Sequence, residues 1–156
     1  MIYRIYPSAD TFITNYGPSN VRKTGSNFGS SEILHTFRIA PVSGAAGGYS
    51  ATGSFGNILT RFSLSGIQAL TASLSAPSTG IVYKLHLTDT IHDQEKPTSF
   101  DLIMQAVGQD WDEGRGHDVD NFSDTGFANW EKAKSDSYWT VAGASGSGPI
   151  VTQHFD

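Results

Sequence analysis

Apolar and polar residues alternate along much of the chain and rarely recur at helical spacing, which predicts short strands. Ile2 to Tyr6 alternates and is stopped by Pro7-Ser8. Ala9 to Thr14 is rich in β-branched and aromatic residues and reads as a second extended piece. Glu32 to Ala40 puts Ile33, His35, Phe37 and Ile39 on one face, and Asn57 to Leu64 sets Ile58, Thr60, Phe62 and Leu64 against Leu59, Arg61 and Ser63. Ile81 to Thr88 has the cleanest pattern: Ile81, Tyr83, Leu85 and Leu87 share one face, and Lys84, His86 and Thr88 the other. Phe100 to Val107, Tyr138 to Val141 and Ile150 to Phe155 follow, making about eight strands between turn signals.

The connections are made of turn formers: Asn15 to Ser31, the glycine-rich Pro41 to Gly56, and Gly143 to Pro149. Helical character is confined to a turn at Gly66 to Leu70 and to Asp124 to Lys134, where Asp124 or Thr125 can cap a short helix. The pattern predicts an all-β fold, a β-sandwich or jelly roll with one short helix. It shows no fixed-period repeat.

Composition sharpens this expectation. At 156 residues the chain suits a single domain, residues 1–156, large enough to bury a core. It has no cysteine, which excludes disulfides, thiolate metal sites and cysteine nucleophiles. There are 19 serines, 14 threonines and 17 glycines, and charged residues make up only 16%, the make-up of a loop-rich extracellular or particle-surface protein. The net charge of −5 is opposite to that of an electrostatic nucleic-acid binder, so no nucleic acid is expected as a partner. No apolar run is long enough for a membrane span, and no membrane partner is expected. The N-terminal Met1-Ile-Tyr-Arg-Ile-Tyr-Pro7 lacks the basic and apolar regions of a secretory signal. Delivery outside a cell is then expected by release within a particle.

Catalytic motifs are missing: there is no phosphate-binding loop, no Gly-x-Ser-x-Gly elbow and no His-Glu-x-x-His. The five histidines, His35, His86, His92, His117 and His154, are scattered without metal-ligand spacing. The dense polar stretch is the acidic loop from Asp110 to Asp124. Calcium takes six to eight oxygens from carboxylates on a glycine-bent loop, and Asp110, Asp112, Asp118, Asp120 and Asp124 are the candidate ligands. The plainer reading is a solvated loop braced by Arg115 and by helix-capping carboxylates. A carboxylate pair for glycoside hydrolysis is a third. Trp111, Trp130 and Trp139 flank this loop. Trp111 and Trp139 suit core packing better than display, whereas Trp130, and with it Trp111, are the candidates for stacking on a sugar ring. Asn121-Phe122-Ser123 is a glycosylation sequon that means little without export.

Several segments together resemble a family. Ala9-Asp10-Thr11-Phe12-Ile13, Asn27-Phe28-Gly29-Ser30-Ser31-Glu32-Ile33-Leu34 and Asn57-Ile58-Leu59-Thr60-Arg61-Phe62-Ser63-Leu64-Ser65 look like the DNRLRE domain. That family is similar to carbohydrate-binding modules of bacterial polysaccharide-processing proteins. Its tryptophan-aspartate-glutamate loop is matched by Trp111-Asp112-Glu113-Gly114, and its late tryptophans by Trp130-Glu131-Lys132-Ala133 and Trp139-Thr140. The run from Glu113 to Asp120, with Ser123-Asp124 and Ala128-Asn129-Trp130, resembles the form in structural proteins of tailed bacteriophages. Two departures stand out. A Gly44 to Gly56 insertion replaces a short turn, and the chain stops at Asp156 where relatives continue with another strand. The resulting open edge is expected to be completed by another chain or by further residues.

The expected function is that of a non-catalytic virion structural protein, a capsid decoration or appendage component of a tailed phage. It would act by protein–protein contact with other virion proteins or with copies of itself, without an obligatory cofactor. The Asn15 to Ser31 and Gly44 to Gly56 loops are the candidate contact segments. The alternative is a carbohydrate-binding module that recognises surface glycans, which a row of solvent-facing rings among Trp130, Trp111 and the tyrosines would favour and buried tryptophans oppose. A glycan-degrading enzyme ranks last.

Overall fold

The computed structural model describes residues 2–17, 22–39, 53–74, 82–90, 98–118, 124–146 and 150–155. Those residues form a small sheet-rich fold with one helix. Its centre is a three-stranded antiparallel sheet of β1 (Ala9–Thr14), β2 (Phe37–Ile39) and β3 (Ser54–Arg61), in the order β1-β3-β2. The β1–β3 register runs from Ala9 opposite Arg61 to Thr14 opposite Gly56. Because side chains alternate across a strand, Ala9, Thr11, Ile13, Leu59 and Arg61 share one face. Phe12 lies on the other, stacked on Phe28 with ring centroids 4.0 Å apart and with His35 at its edge.

The core lies on the Ile13 face. Ile13 and Leu59 pack there with Trp111, Ala128, Ala133 and Trp139, and Ala9, Trp130 and Ala144 close its margin. A few large rings against small alanines thus fill a space reached from one sheet and two loops. On β3, Gly56 is opposite Phe37, and the Phe37 ring lies where a β-carbon on Gly56 would be. Glycine lets the ring cross the strand.

The expected helix over Asp124 to Lys134 does not form. A hairpin of β5 (Lys132–Lys134) and β6 (Ser137–Tyr138) stands in its place, with no helical residue described from Asp124 on. Remote donors supply the reason: the carbonyls of Ala128, Asn129 and Glu131 accept from Asn27 Nδ2, Trp139 Nε1 and the Trp139 N–H in place of N–H groups four residues on. In Lys132-Ala133-Lys134 the small residue is buried and the lysines flank it, a period of two that the helix propensity of the residues masks. The helix is instead α1 (Ser65–Leu74), which contains the expected Gly66 to Leu70 turn.

Strands β4 (Phe100–Gln105) and β7 (Ile150–Phe155) pair antiparallel as a separate two-stranded ribbon. Most of its side chains are exposed. Four expected strands are curtailed; of Tyr138 to Val141, only Tyr138 lies in a strand. Ile2 to Tyr6 forms no strand, and Ile2 is 90% exposed. Of Glu32 to Ala40, only Phe37–Ile39 pairs. Residues 82–88 of the expected Ile81 to Thr88 strand lie exposed and outside any sheet, because alternation marks a capacity for pairing and no described strand lies beside them. Residues 40–52, which hold most of the glycine-rich loop, lie outside the described residues, as does the sequon at 121–123.

Candidate functional site

The acidic loop leaves β4 through residues 106–109 and passes over the core face of the sheet. Its first tryptophan anchors it: Trp111 is 4% exposed and belongs to the core cluster. The carbonyl of Asp112 accepts from Ala128 N–H, and its own N–H donates to the carbonyl of Ala133, so the loop is tied to the segment leading into the hairpin and to β5.

Asn27 fixes the next turn. Its side chain is fully buried. Nδ2 donates to the carbonyls of Glu113 and Ala128, both at 2.7 Å, and Oδ1 accepts from the N–H groups of Gly29 (3.1 Å) and Gly116 (2.9 Å). A carboxamide has two donor hydrogens and two acceptor lone pairs, so all four are used on backbone. Gly29 and Gly114 make room for this: a β-carbon on Gly29 would run into the Glu113 and Gly114 carbonyls, and one on Gly114 would run into Asn27 itself. Glu113 then reaches the outer strand, its Oε1 accepting from Asp10 N–H at 2.6 Å. An acceptor placed on an edge strand covers part of an edge that would otherwise be open.

Asp110 stands between two cations. Its Oδ1 is 2.9 Å from Arg61 Nη2 and its Oδ2 is 2.6 Å from Lys134 Nζ, which also lies 4.0 Å from Asp112 Oδ1. The hydrogen bond and charge of Lys134, with Arg61 behind them, hold the Asp110 carboxyl below the usual carboxylate range. Reciprocally, the bond to Asp110 raises Lys134 above the usual lysine value. Arg61 also donates to the Trp111 carbonyl and lies 4.7 Å from the centroid of the Trp111 ring.

Of the five candidate calcium ligands, Asp110 and Asp112 therefore face protein cations. Asp118 and Asp124 are placed elsewhere in the described loop, and Asp120 lies outside the described residues. Among the described residues, no three of His, Asp and Glu gather as a metal shell would need. Of the other carboxylates in the loop, Glu113 is held by the Asp10 N–H.

The tryptophans divide as the core-packing reading expects. Trp139 is 7% exposed, and its indole N–H donates to the Asn129 carbonyl at 2.8 Å. Trp130 is half-buried and near-parallel to Phe55, with centroids 6.2 Å apart, and Arg38 lies 5.8 Å from the Phe55 ring on β3. Gly143, at φ +82°, packs against the six-membered ring of Trp130 and donates to its carbonyl at 2.7 Å. Asp110, Asp112 and the three tryptophans stand out in the sequence, whereas Lys134 and Asn129 carry no charge-density or spacing signal that points to the site. Asn27-x-Gly29 and the glycine after Trp111-Asp112-Glu113 are turn signals in the sequence, and both mark the junction that Asn27 closes.

The chain matches no protein-family model, no curated protein and no solved structure.

Proposed function

We propose that this protein is a non-catalytic structural component of a tailed-phage virion, built on a DNRLRE-like β-sandwich and acting by protein–protein contact. The observation that carries the reading is the use of the site's polar groups. Asn27, Glu113, Asp110, Arg61 and Asn129 are all committed to holding the chain to itself. Such a constellation supports a rigid body that acts through its shape.

The family resemblance gains support from the same contacts. The segments that carry it converge in space: Asp10 on Glu113, Asn27 on Glu113 and Gly29, and Arg61 on Trp111. The glycan-binding alternative asks for free aromatic faces. Trp111 and Trp139 are buried, and Trp130 is packed by Phe55 and Gly143, which favours the scaffold reading, whereas the exposed rings of Tyr3, Tyr6, Tyr83 and Tyr138 are the ones the alternative would use.

Mass spectrometry of particles purified from the phage or prophage-bearing strain that encodes the chain tests the proposal. The protein is expected in the particles at a stoichiometry comparable to other structural components. Its absence from them, with saturable binding of the isolated chain to a polysaccharide, would overturn the proposal in favour of the alternative.

A further inference from the structure

The β4–β7 ribbon is short of a partner. A two-stranded ribbon is marginal in water, and a third strand or a packed face is normally needed. The register places Phe100, Leu102, Met104, Val151, Gln153 and Phe155 on one face, with Phe100 and Phe155 stacked at 5.1 Å. Met104, Val151 and Phe155 on that face are exposed. The opposite face carries Asp101, bonded to His154 Nδ1 at 2.7 Å. Among the described residues nothing pairs with the outer edge of β4.

The same chain holds a strand without a sheet. Residues 82–88 are exposed and outside any described sheet, although Tyr83, Leu85 and Leu87 alternate with Lys84, His86 and Thr88. The two features match in length and in chemistry. Three apolar residues, Tyr83, Leu85 and Leu87, correspond to Phe100, Leu102 and Met104 of β4. With Leu85 opposite Leu102, either strand direction sets Lys84 or His86 beside Asp101. The only acidic side chain on β4 thus meets a basic one, and the apolar trios form one continuous face.

We infer that residues 82–88 of one copy add as a third strand to the β4 edge of a second copy. Each chain carries both the donor segment and the acceptor edge, so the partner that fits is the chain itself, and the contact gives a dimer when exchanged reciprocally or a ring or filament when repeated head to tail. The inference rests on the proposed structural role and specifies the contact through which that role is exercised.

The test uses the full chain. Sedimentation is expected to show an oligomer that dissociates on dilution, and the double variant Leu85→Pro, His86→Pro, in which one proline removes a ladder N–H whichever side the strand pairs on, is expected to be monomeric. Because residues 85 and 86 are exposed, that variant should keep the wild-type circular dichroism and tryptophan emission. Since the chain has no cysteine, Leu85→Cys and a mass-tagged Leu102→Cys can be mixed and oxidised. A disulfide between them, well above that formed with a Thr140→Cys control, is expected, and it can form only between copies. A monomeric wild type, an oligomeric double-proline variant or a cross-link no stronger than the control would overturn the inference. Finding the monomer in virions would leave the structural role standing, and finding the oligomer but no protein in virions would remove that role alone.

Discussion

The side chain of Asn27 fills the space that a β-carbon on Gly114 would take, its Cγ lying 2.6 Å from that position. Gly114 also sits at φ +79°, where a non-glycine residue costs roughly 1–2 kcal/mol. The two positions are therefore coupled. Gly114→Ala is expected to destabilise the fold by about 2 kcal/mol or more, from backbone strain plus displacement of the amide. Asn27→Ala leaves the Gly29 and Gly116 N–H groups and two carbonyls without their partner and is expected to cost about 3 kcal/mol. In the double variant the second loss is smaller than alone, because the contact is already gone. Urea denaturation of the four proteins gives the cycle, and strict additivity would refute the coupling.

Two strands could be read from sequence because their signals are local: Ala9–Thr14 of the central sheet and Ile150–Phe155 of the β4–β7 ribbon. Two kinds of feature could not. Whether an alternating segment pairs depends on a remote neighbour, which is why residues 82–88 look like a strand and do not pair in the described fold. Whether the stretch from Asp124 to Lys134 winds into a helix or turns a hairpin depends on remote donors such as Asn27 and Trp139 that take its carbonyls, and Lys132-Ala133-Lys134 suits both. In the site, the aspartates drew attention as possible ligands by their density. Their actual partners, Arg61 and Lys134, come from strands 49 and 24 residues away in sequence, a distance no local pattern bridges.

The Asp110 ion pair sets a sign for the pH dependence. The carboxyl is held below its ordinary value by Lys134 first and Arg61 second, so the folded state binds its proton less readily than the unfolded chain. The stabilisation is fully present above the unfolded-state value and is lost as pH falls through the folded one. At the alkaline end the raised Lys134 keeps the same pair intact below the ordinary lysine value and releases it as pH rises through the folded one. Both groups are exposed, so the effect is small and weakens with salt. Asp110→Asn is expected to flatten stability against pH at both ends in low salt and to change little in high salt. An unchanged acid limb in low salt would count against the pair.

Calcium meets a loop whose first two carboxylates already face Arg61 and Lys134. A bound ion would have to displace those cations before gaining oxygens from Asp110 and Asp112. A ligand that binds the folded state raises its stability in proportion to the logarithm of its concentration. The melting temperature is therefore expected to be the same in chelator and in millimolar calcium. Arg61→Ala should lower it in both, through loss of the Trp111 and Asp110 contacts. A rise with calcium that Asp110→Asn or Asp112→Asn abolishes would restore the loop as a metal site.

Trp130 distinguishes a packing role from a binding one. Gly143 lies against its ring, where a β-carbon would come within 2.7 Å of Cη2, at a backbone φ of +82°. Gly143→Ala is accordingly expected to cost about 2 kcal/mol from left-handed strain and from displacement of the indole. Trp130→Ala removes a half-buried ring from the margin of the core and its near-parallel contact with Phe55, for an expected loss of about 2 kcal/mol, below the range for a fully buried tryptophan. If the ring served as a sugar platform, Trp130→Ala would abolish retardation of the protein in polysaccharide gels while Trp130→Phe preserved part of it. As a packing residue it should lower the melting temperature on both substitutions, less for phenylalanine, and leave mobility in those gels the same as that of the wild type. Measuring both quantities on the two variants separates the roles, because stability and retardation respond to different faces of the same ring.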